Sequence, residues 1–203
     1  SRGGSGCAGS RRGVGGAVER DGWDKLVFGC GFENIFVGAA GGDPRCEGER
    51  LKGVGEEQGG DPIDALLQIL ADTRGQATII YRALDEEDLR TFLRHPQCML
   101  GTDAFARDYV GPTATGNPHP RNYGAFPRYI RKYLLDEKLL SLSEGIRRIT
   151  SLPAETFGLP GRGLIREGMV ADLTLFDPET IGEEGDFTCS RKPPRGIRWV
   201  VLG

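Results

Sequence analysis

Histidine is almost missing from this chain: His95 and His119 are the only two in 203 residues. Neither lies in an HxH or HExxH spacing. A hydrolytic zinc site generally draws two or three ligands from His, Cys and carboxylates, so the chain as it stands does not spell out such a site. Cysteine is also sparse. The five residues Cys7, Cys30, Cys46, Cys98 and Cys189 are scattered and odd in number, with no CxxC pair. That argues against a disulfide framework or a zinc ribbon and makes a reducing, cytoplasmic setting the default. No apolar run is long enough to span a bilayer. Basic residues are not in excess: net charge is -3 and the pI is near 5.5. Nucleic acid and an anionic membrane surface are therefore poor candidates for the main partner. The glycine-rich pieces match neither GxxxxGK[ST] nor GxGxxG.

What is present is unevenly spread. More than half of the 32 glycines fall in the first 60 residues. Residues 1–20 read as a flexible tail or as sequence foreign to the fold, 26–28 as a short strand, and residues 29–60 as a long loop with one strand near 35–37. From residue 61 the patterning sharpens. Asp61-Pro62 opens a helix to Thr73, with Ile63, Leu66, Leu67 and Leu70 as its apolar stripe. Residues 77–81 (ATIIY) are apolar and β-branched at consecutive positions, as in a parallel strand covered on both faces. A second helix spans 86–94, capped by Asp85. Leu84 and Leu89 are placed for a hydrophobic staple, and Leu89, Phe92 and Leu93 face inward. Residues 98–100 then read as the next buried strand. Helix, strand, helix and strand with short connections imply βα units in a parallel sheet.

Further on, a helix beginning near Pro127 carries Phe126, Tyr129, Ile130, Tyr133 and Leu134 on one face. SLSE at 141–144 is a capping-box pattern, and Pro153 opens another short helix that Gly158 ends. Past residue 161, short strands at 164–165, 173–176 and 197–202 lie between Gly, Asp-Pro and Pro-Pro turns, as in a small β domain.

Two residues carry the chemistry on this reading. Asp103 follows the strand at 98–100, at the sheet edge where α/β sites form. Position alone equally suits a turn or a helix cap. Arg121, held by prolines in PHPR (118–121), could grip a carboxylate bidentately or make an ordinary surface ion pair. His119 reads as loop-shaping, His95 as structural and Cys98 as a small buried hydrophobe.

Three blocks together, RHPQCMLGTD (94–103), PHPRNYGAFPR (118–128) and TSLPAE (150–155) with GLIREGMVADLTLFDP (163–178), resemble the C-terminal portion of N-acyl-D-amino-acid deacylases (D-aminoacylases) of the amidohydrolase superfamily. The resemblance implies an α/β chain. Residues 21–160 would be the closing βα units of a zinc-dependent (β/α)8 barrel, and residues 161–203 C-terminal strands of a small β-sandwich domain. It implies that Asp103 is the general base and then acid of amide hydrolysis, that Arg121 holds the substrate carboxylate, and that zinc serves the full-length enzyme. The substrate would be a small N-acyl amino acid. The family's HxH pair, bridging Cys and later His ligands have no counterpart here. The isolated chain is therefore expected to be an inactive fragment, with open barrel edges that invite self-association. A cyclic-amide hydrolase of the dihydroorotase or hydantoinase kind, and a module that folds only with a partner, are the competing readings. In every version that keeps the deacylase reading, Asp103 and Arg121 must share one cleft.

Overall fold

The computed structural model describes residues 30–41 and 44–203. The expected tail at 1–20 and strand at 26–28 lie outside the described residues. The first strand, β1 (Ile35–Ala39), is buried along nearly its whole length, as its IFVGA run requires. It pairs with β2 (Thr78–Tyr81) through Ile35 opposite Tyr81, Phe36 opposite Ile80 and Val37 opposite Ile79. The register slips between Val37 and Ala39. At Gly38, between them, a Cβ would stand 3.3 Å from the Thr78 carbonyl oxygen. Glycine fits here because the two backbones approach closely at an irregular step.

The β1–β2 pair is antiparallel, which corrects the parallel strand expected at 77–81. The reason lies in the stretch read as a loop. Helix α1 (Leu51–Glu57) forms there, followed by α2 (Pro62–Asp72), and the two pack together. Two helical segments between strands reverse the chain once more than a single-helix crossover would. Helix α1 was hidden by Gly53 and Gly55. Gly55 is what allows the contact, since a Cβ there would sit 2.9 Å from the Asp61 backbone. Asp61 caps α2 by accepting the Asp64 N–H at 2.9 Å. The most buried positions of α2 are Ala65 and Ile69, while Leu70 sits on the rim at 37% exposure. With Ile35, Val37, Ala40, Leu51 and Val54 they form the first core.

Helix α3 (Glu86–Arg94) is capped by Asp85, which accepts the Glu87 N–H at 2.7 Å. Its expected staple does not form: Leu84 is 93% exposed, and Phe92 also faces outward, leaving Leu93 as the buried residue of α3. Helix α4 (Arg121–Arg128) begins six residues before the expected start and runs straight into a π-helical segment (Tyr129–Asp136). Pro127 inside α4 removes one N–H from the ladder, and the wider π turns follow it. Tyr129, Ile130, Tyr133 and Leu134 are buried as the periodicity predicts and, with Leu93 and Ile181, make the second core. Helices α5 (Leu142–Arg147) and α6 (Ser151–Thr156) follow. Ser141 caps α5, but Glu144 turns to Arg147 and Arg148 rather than completing the box.

Strands β3 (Leu173–Phe176) and β4 (Ile197–Val201) form a second antiparallel pair. Residues 164–165 are not a strand, and Ile165 is 87% exposed. Residues 98–100 are half-buried and pair with no strand among the described residues, which corrects the buried strand expected there. A strand needs neighbours to supply its hydrogen bonds, and the described residues place none beside it. Accordingly there is no closed barrel and no parallel pair among the described residues. Nor is any described helix long and apolar enough to cross a membrane.

Two polar clusters fasten the parts. The buried Arg148 guanidinium donates to the carbonyls of Leu93 and His95, each at 2.6 Å, and to Glu144 at 2.8 Å, so it closes the end of α3. Glu86 accepts from Arg128 and Lys132 at 2.7 Å each and from the Tyr133 hydroxyl at 2.8 Å. Arg128 also reaches Glu183 at 2.5 Å, joining α3, α4 and the region before β4. Burial alone would raise the Glu86 carboxyl. Lys132, Tyr133 and Arg128 outweigh burial and hold it down at about 2. A carboxylate with a depressed folded-state pKa stabilises the fold above its ordinary value of 4.5 and loses that contribution as pH falls toward 2. Glu86→Gln should therefore lower the thermal midpoint at pH 7, and the gap to the parent chain should close as pH is taken down through that window. Melting curves across pH check this.

Candidate functional site

The PHPR block takes its shape from short-range constraints. Pro118 and Pro120 limit the backbone on either side of His119. Pro120 precedes α4 and offers no side-chain cap; instead His119 Nδ1 accepts the Arg121 N–H at 3.0 Å. That bond requires an unprotonated Nδ1. Burial, and then the nearby Arg121 and Arg128, push the imidazole from its ordinary value of 6.5 to about 4, so the ring is neutral at pH 7. Its edge meets the Phe187 ring at 5.0 Å. With Nδ1 engaged in this way, His119 shapes the loop rather than presenting a free ligand.

Asn122 joins this block to the residues after Asp103. Its Nδ2 donates to the His119 carbonyl at 2.8 Å, and its Oδ1 accepts the Phe105 N–H at 3.0 Å. Asn117 does the same on the other side. It is 8% exposed, and its N–H donates to the Gly38 carbonyl at 2.6 Å. Its Nδ2 donates to the Phe187 carbonyl at 2.7 Å, and its Oδ1 accepts the Ser190 N–H at 2.8 Å and the Ser190 hydroxyl at 3.0 Å. β1, the PHPR block and residues 187–190 thus meet at one residue, the backbone N–H reaching β1 and the side-chain amide reaching 187–190.

Within this frame the two residues singled out from sequence come together. Arg121 Nη2 stands 2.7 Å from Asp103 Oδ2. Both side chains are open to solvent, 43% and 89% exposed. Such a pair contributes ~0–1 kcal/mol to stability, so its interest is placement. The Asp103 backbone has φ 47, in the left-handed region. That conformation costs about 1–2 kcal/mol for a residue with a Cβ, though Asp tolerates it better than most. Asp103, Arg107, His119, Arg121 and Asn122, with the facing parts of β1 and β2, line a cavity of about 250 Å³. A larger hollow of about 1070 Å³ lies between helices α4 to α6 and the β3–β4 pair. It is mainly apolar, lined by residues such as Phe126, Ile130, Leu175 and Trp199, and contains neither Asp103 nor Arg121. The convergent acid, cation and amide are in the smaller one.

Sequence reading found Asp103 and Arg121 but missed Asn117, Asn122 and Arg107. Asn117-Pro118 carries a faint turn signal. Asn122 and Arg107 carry none, because their partners are 17 and 8 residues away in the chain. The donor set does not suit a metal: among the described residues no three of His, Cys, Asp and Glu gather closely enough to hold an ion. Zinc is not a group these residues could bind by themselves.

A carboxylate and a guanidinium meet in this smaller cavity. The profile of the Amidohydrolase family matches residues 46–194, and the chain belongs to that family. An N-acyl-D-glutamate deacylase from Alcaligenes xylosoxydans xylosoxydans is 31% identical over 159 residues, 78% of this chain and 30% of that protein. A D-aminoacylase from the same organism is 32% identical over 159 residues, with the same coverage of both. Among solved structures, N-acyl-D-glutamate deacylase from Bordetella bronchiseptica, in complex with zinc and a phosphonate mimic of the tetrahedral intermediate, superposes with a TM-score of 0.72. It is 29% identical, and the match covers 87% of this chain and 35% of that one. A shorter match is to a dihydroorotase from Endomicrobium trichonymphae, 48% identical over 44 residues, 22% of this chain. The chain thus spans about a third of the length of the deacylases it matches.

Replacing Asn117 with Ala removes the acceptor for Ser190 and the donor to Phe187 at a buried point. Loss of these bonds, with the groups left unsatisfied, should destabilise the chain by about 2–4 kcal/mol. Denaturant titration of the isolated chain measures this, and a change below about 0.5 kcal/mol would show that the amide does not hold the PHPR block to residues 187–190.

Proposed function

We propose that this chain is part of a hydrolase that cleaves the amide of N-acyl-D-amino acids, releasing a D-amino acid and a carboxylate. The observation that carries the reading is the 2.7 Å approach of Arg121 to Asp103 in one cavity. Arg121 makes a single ion pair among the described residues, and its other N–H groups can take the α-carboxylate of the substrate. That places the neighbouring amide against Asp103. As water adds to the carbonyl carbon, Asp103 accepts the water proton. It then gives that proton to the departing nitrogen as the C–N bond breaks. His119, neutral at Nδ1, fixes the start of α4 and so the direction of the Arg121 side chain.

On this proposal residues 21–160 are the closing part of the hydrolase barrel and residues 161–203 part of a small β domain. The open edges of both two-stranded sheets are where further chain or a second copy would pair. The Bordetella enzyme is in complex with zinc, and such an ion, when bound, would polarise a carbonyl and acidify a bound water. The residues described here supply no complete set of ligands for it, so in this reading the metal is held by residues outside them.

A cyclic-amide substrate is the second reading, favoured by the short dihydroorotase match. The two diverge at Arg121. In the full-length protein, Arg121→Ala should raise KM for N-acyl-D-amino acids by roughly 10- to 100-fold, with kcat less affected, because a charged hydrogen bond to substrate is lost. An unchanged KM would favour the cyclic substrate. Asp103→Asn keeps a side chain that tolerates left-handed backbone but cannot take a proton. It should lower kcat by about 10²- to 10⁴-fold while the protein stays folded. Steady-state kinetics with circular dichroism checks both.

A further inference from the structure

We propose that Phe187 is a positioning residue for the Asp103–Arg121 site: its ring, lying against the His119 imidazole, holds that imidazole in the orientation in which Nδ1 takes the Arg121 N–H. The inference rests on the deacylase reading and adds to it a residue from the connection between β3 and β4. Phe187 is itself fixed before it meets the imidazole. Asp186 accepts the N–H groups of Thr188 at 2.9 Å and Cys189 at 2.8 Å, which closes a tight turn around Phe187. The Phe187 carbonyl takes the Asn117 side chain at 2.7 Å. Its ring stacks on Phe36, a buried residue of β1, with centroids 5.1 Å apart and planes at 26°. The His119 ring then stands nearly perpendicular to it, at 76° and 5.0 Å. A ring-to-ring path therefore runs from the first core to the PHPR block.

Pro118 and Pro120 already restrict the backbone around His119, so the freedom that remains is in the side chain. A turn of the ring about its last torsion swings Nδ1 away from the Arg121 N–H, and an edge-to-face contact favours one ring orientation over the others. No side chain caps the start of α4, so losing Nδ1 loosens the turn from which the Arg121 side chain projects. The contact also keeps water off the imidazole. Burial first, and then Arg121 and Arg128, hold it at about 4. The other charged groups around it are Arg82, 6.0 Å from the centre of the Phe187 ring, and Asp103 and Arg107, which line the same cavity. Asp103 is taken up by Arg121, and Glu86 and Glu183 by Arg128. With Phe187 cut back, water reaches the ring and protonation moves toward the ordinary value of 6.5. A protonated Nδ1 cannot accept the Arg121 N–H.

The test uses the full-length protein containing this chain, with an N-acyl-D-amino acid as substrate. In Phe187→Ala, KM at pH 8 should rise about 2- to 10-fold, the worth of one edge-on aromatic contact, with kcat little changed. The ratio of variant to parent KM should rise about tenfold further as the pH is lowered to about 5.5, following one group that titrates near 6.5. Phe187→Tyr, which keeps the ring, should stay within about twofold of the parent at every pH. Phe187→Leu fills the space without a flat ring; it should behave as the Ala variant does, and it decides the matter if Ala does not fold. In a His119→Gln background the pH-dependent part of the Phe187 effect should vanish. A KM ratio that does not change with pH would overturn the proposal. So would a Phe187→Ala variant, folded by circular dichroism, that loses kcat and keeps the parent KM. If no N-acyl-D-amino acid is hydrolysed, the deacylase reading fails by itself, and amide exchange at Arg121 then decides on Phe187. Faster exchange in Phe187→Ala that Phe187→Tyr restores upholds the contact; equal exchange in all three proteins removes it.

Discussion

The buried amide of Asn117 is the constraint on which the arrangement of this chain depends. One side chain and its own N–H tie β1, the PHPR block and residues 187–190 to each other. The PHPR block and residues 187–190 have no helix or sheet ladder at the junction to hold them there, and the bond to Gly38 falls where the β1–β2 register is irregular. A buried amide bonded at both its oxygen and its nitrogen is worth more for defining geometry than for net stability, because breaking those bonds leaves buried polar groups unpaired. Next to it, Gly48 has φ 87, and a Cβ at that position would lie 2.3 Å from the Thr188 carbonyl oxygen. The junction thus needs the absence of a side chain as well as the presence of Asn117.

The acidic and basic residues divide into two jobs. Glu86, Arg128 and Glu183 join elements through partly sheltered pairs, and Arg148 does so through a buried one. These connect α3, α4, α5 and the region before β4 around the second core. Asp103 and Arg121 instead meet in the open, where their attraction is screened and adds little to the fold. A left-handed backbone at Asp103 and an ion pair of small energetic value are what a stability argument would leave out. At functional sites, strain of this kind is kept in place by surrounding structure. Beside Asp103, Asn122 is bonded at once to the Phe105 N–H and to the PHPR block.

Legibility from sequence followed the range of the interactions. Caps at Asp61, Asp85 and Ser141 act over two or three residues and were readable, as was the buried face of Tyr129, Ile130, Tyr133 and Leu134. Helix α1 was not, because two glycines obscure a short apolar pattern, and one of them is there for a contact with the Asp61 backbone. The parallel strands expected at 77–81 and 98–100 were read from composition. Composition tells that a segment is apolar, not which neighbour it meets or how far it is covered: β2 buries only Ile80, and 98–100 stay half-buried. Leu84 and Phe92 sat at positions suited to burial and are exposed. A staple or an inward face needs a partner surface, and the described residues place none there.

Of the site, the motif residues themselves were legible, and with them the family to which the chain belongs. Asp103 lies at the end of an apolar run, and Arg121 stands in a block of prolines that allows few backbone conformations. The sequence by itself determined these residue types, the capped helix starts at Asp61, Asp85 and Ser141, and the buried face over 129–134, since each depends on neighbours a few positions away. Only the tertiary structure decided that the carboxylate and guanidinium face each other across 18 residues, that Asn117 and Asn122 hold them there, and that Arg107 shares their cavity. Those are contacts between segments with no local preference for one another, and only the packed chain brings them within hydrogen-bonding distance.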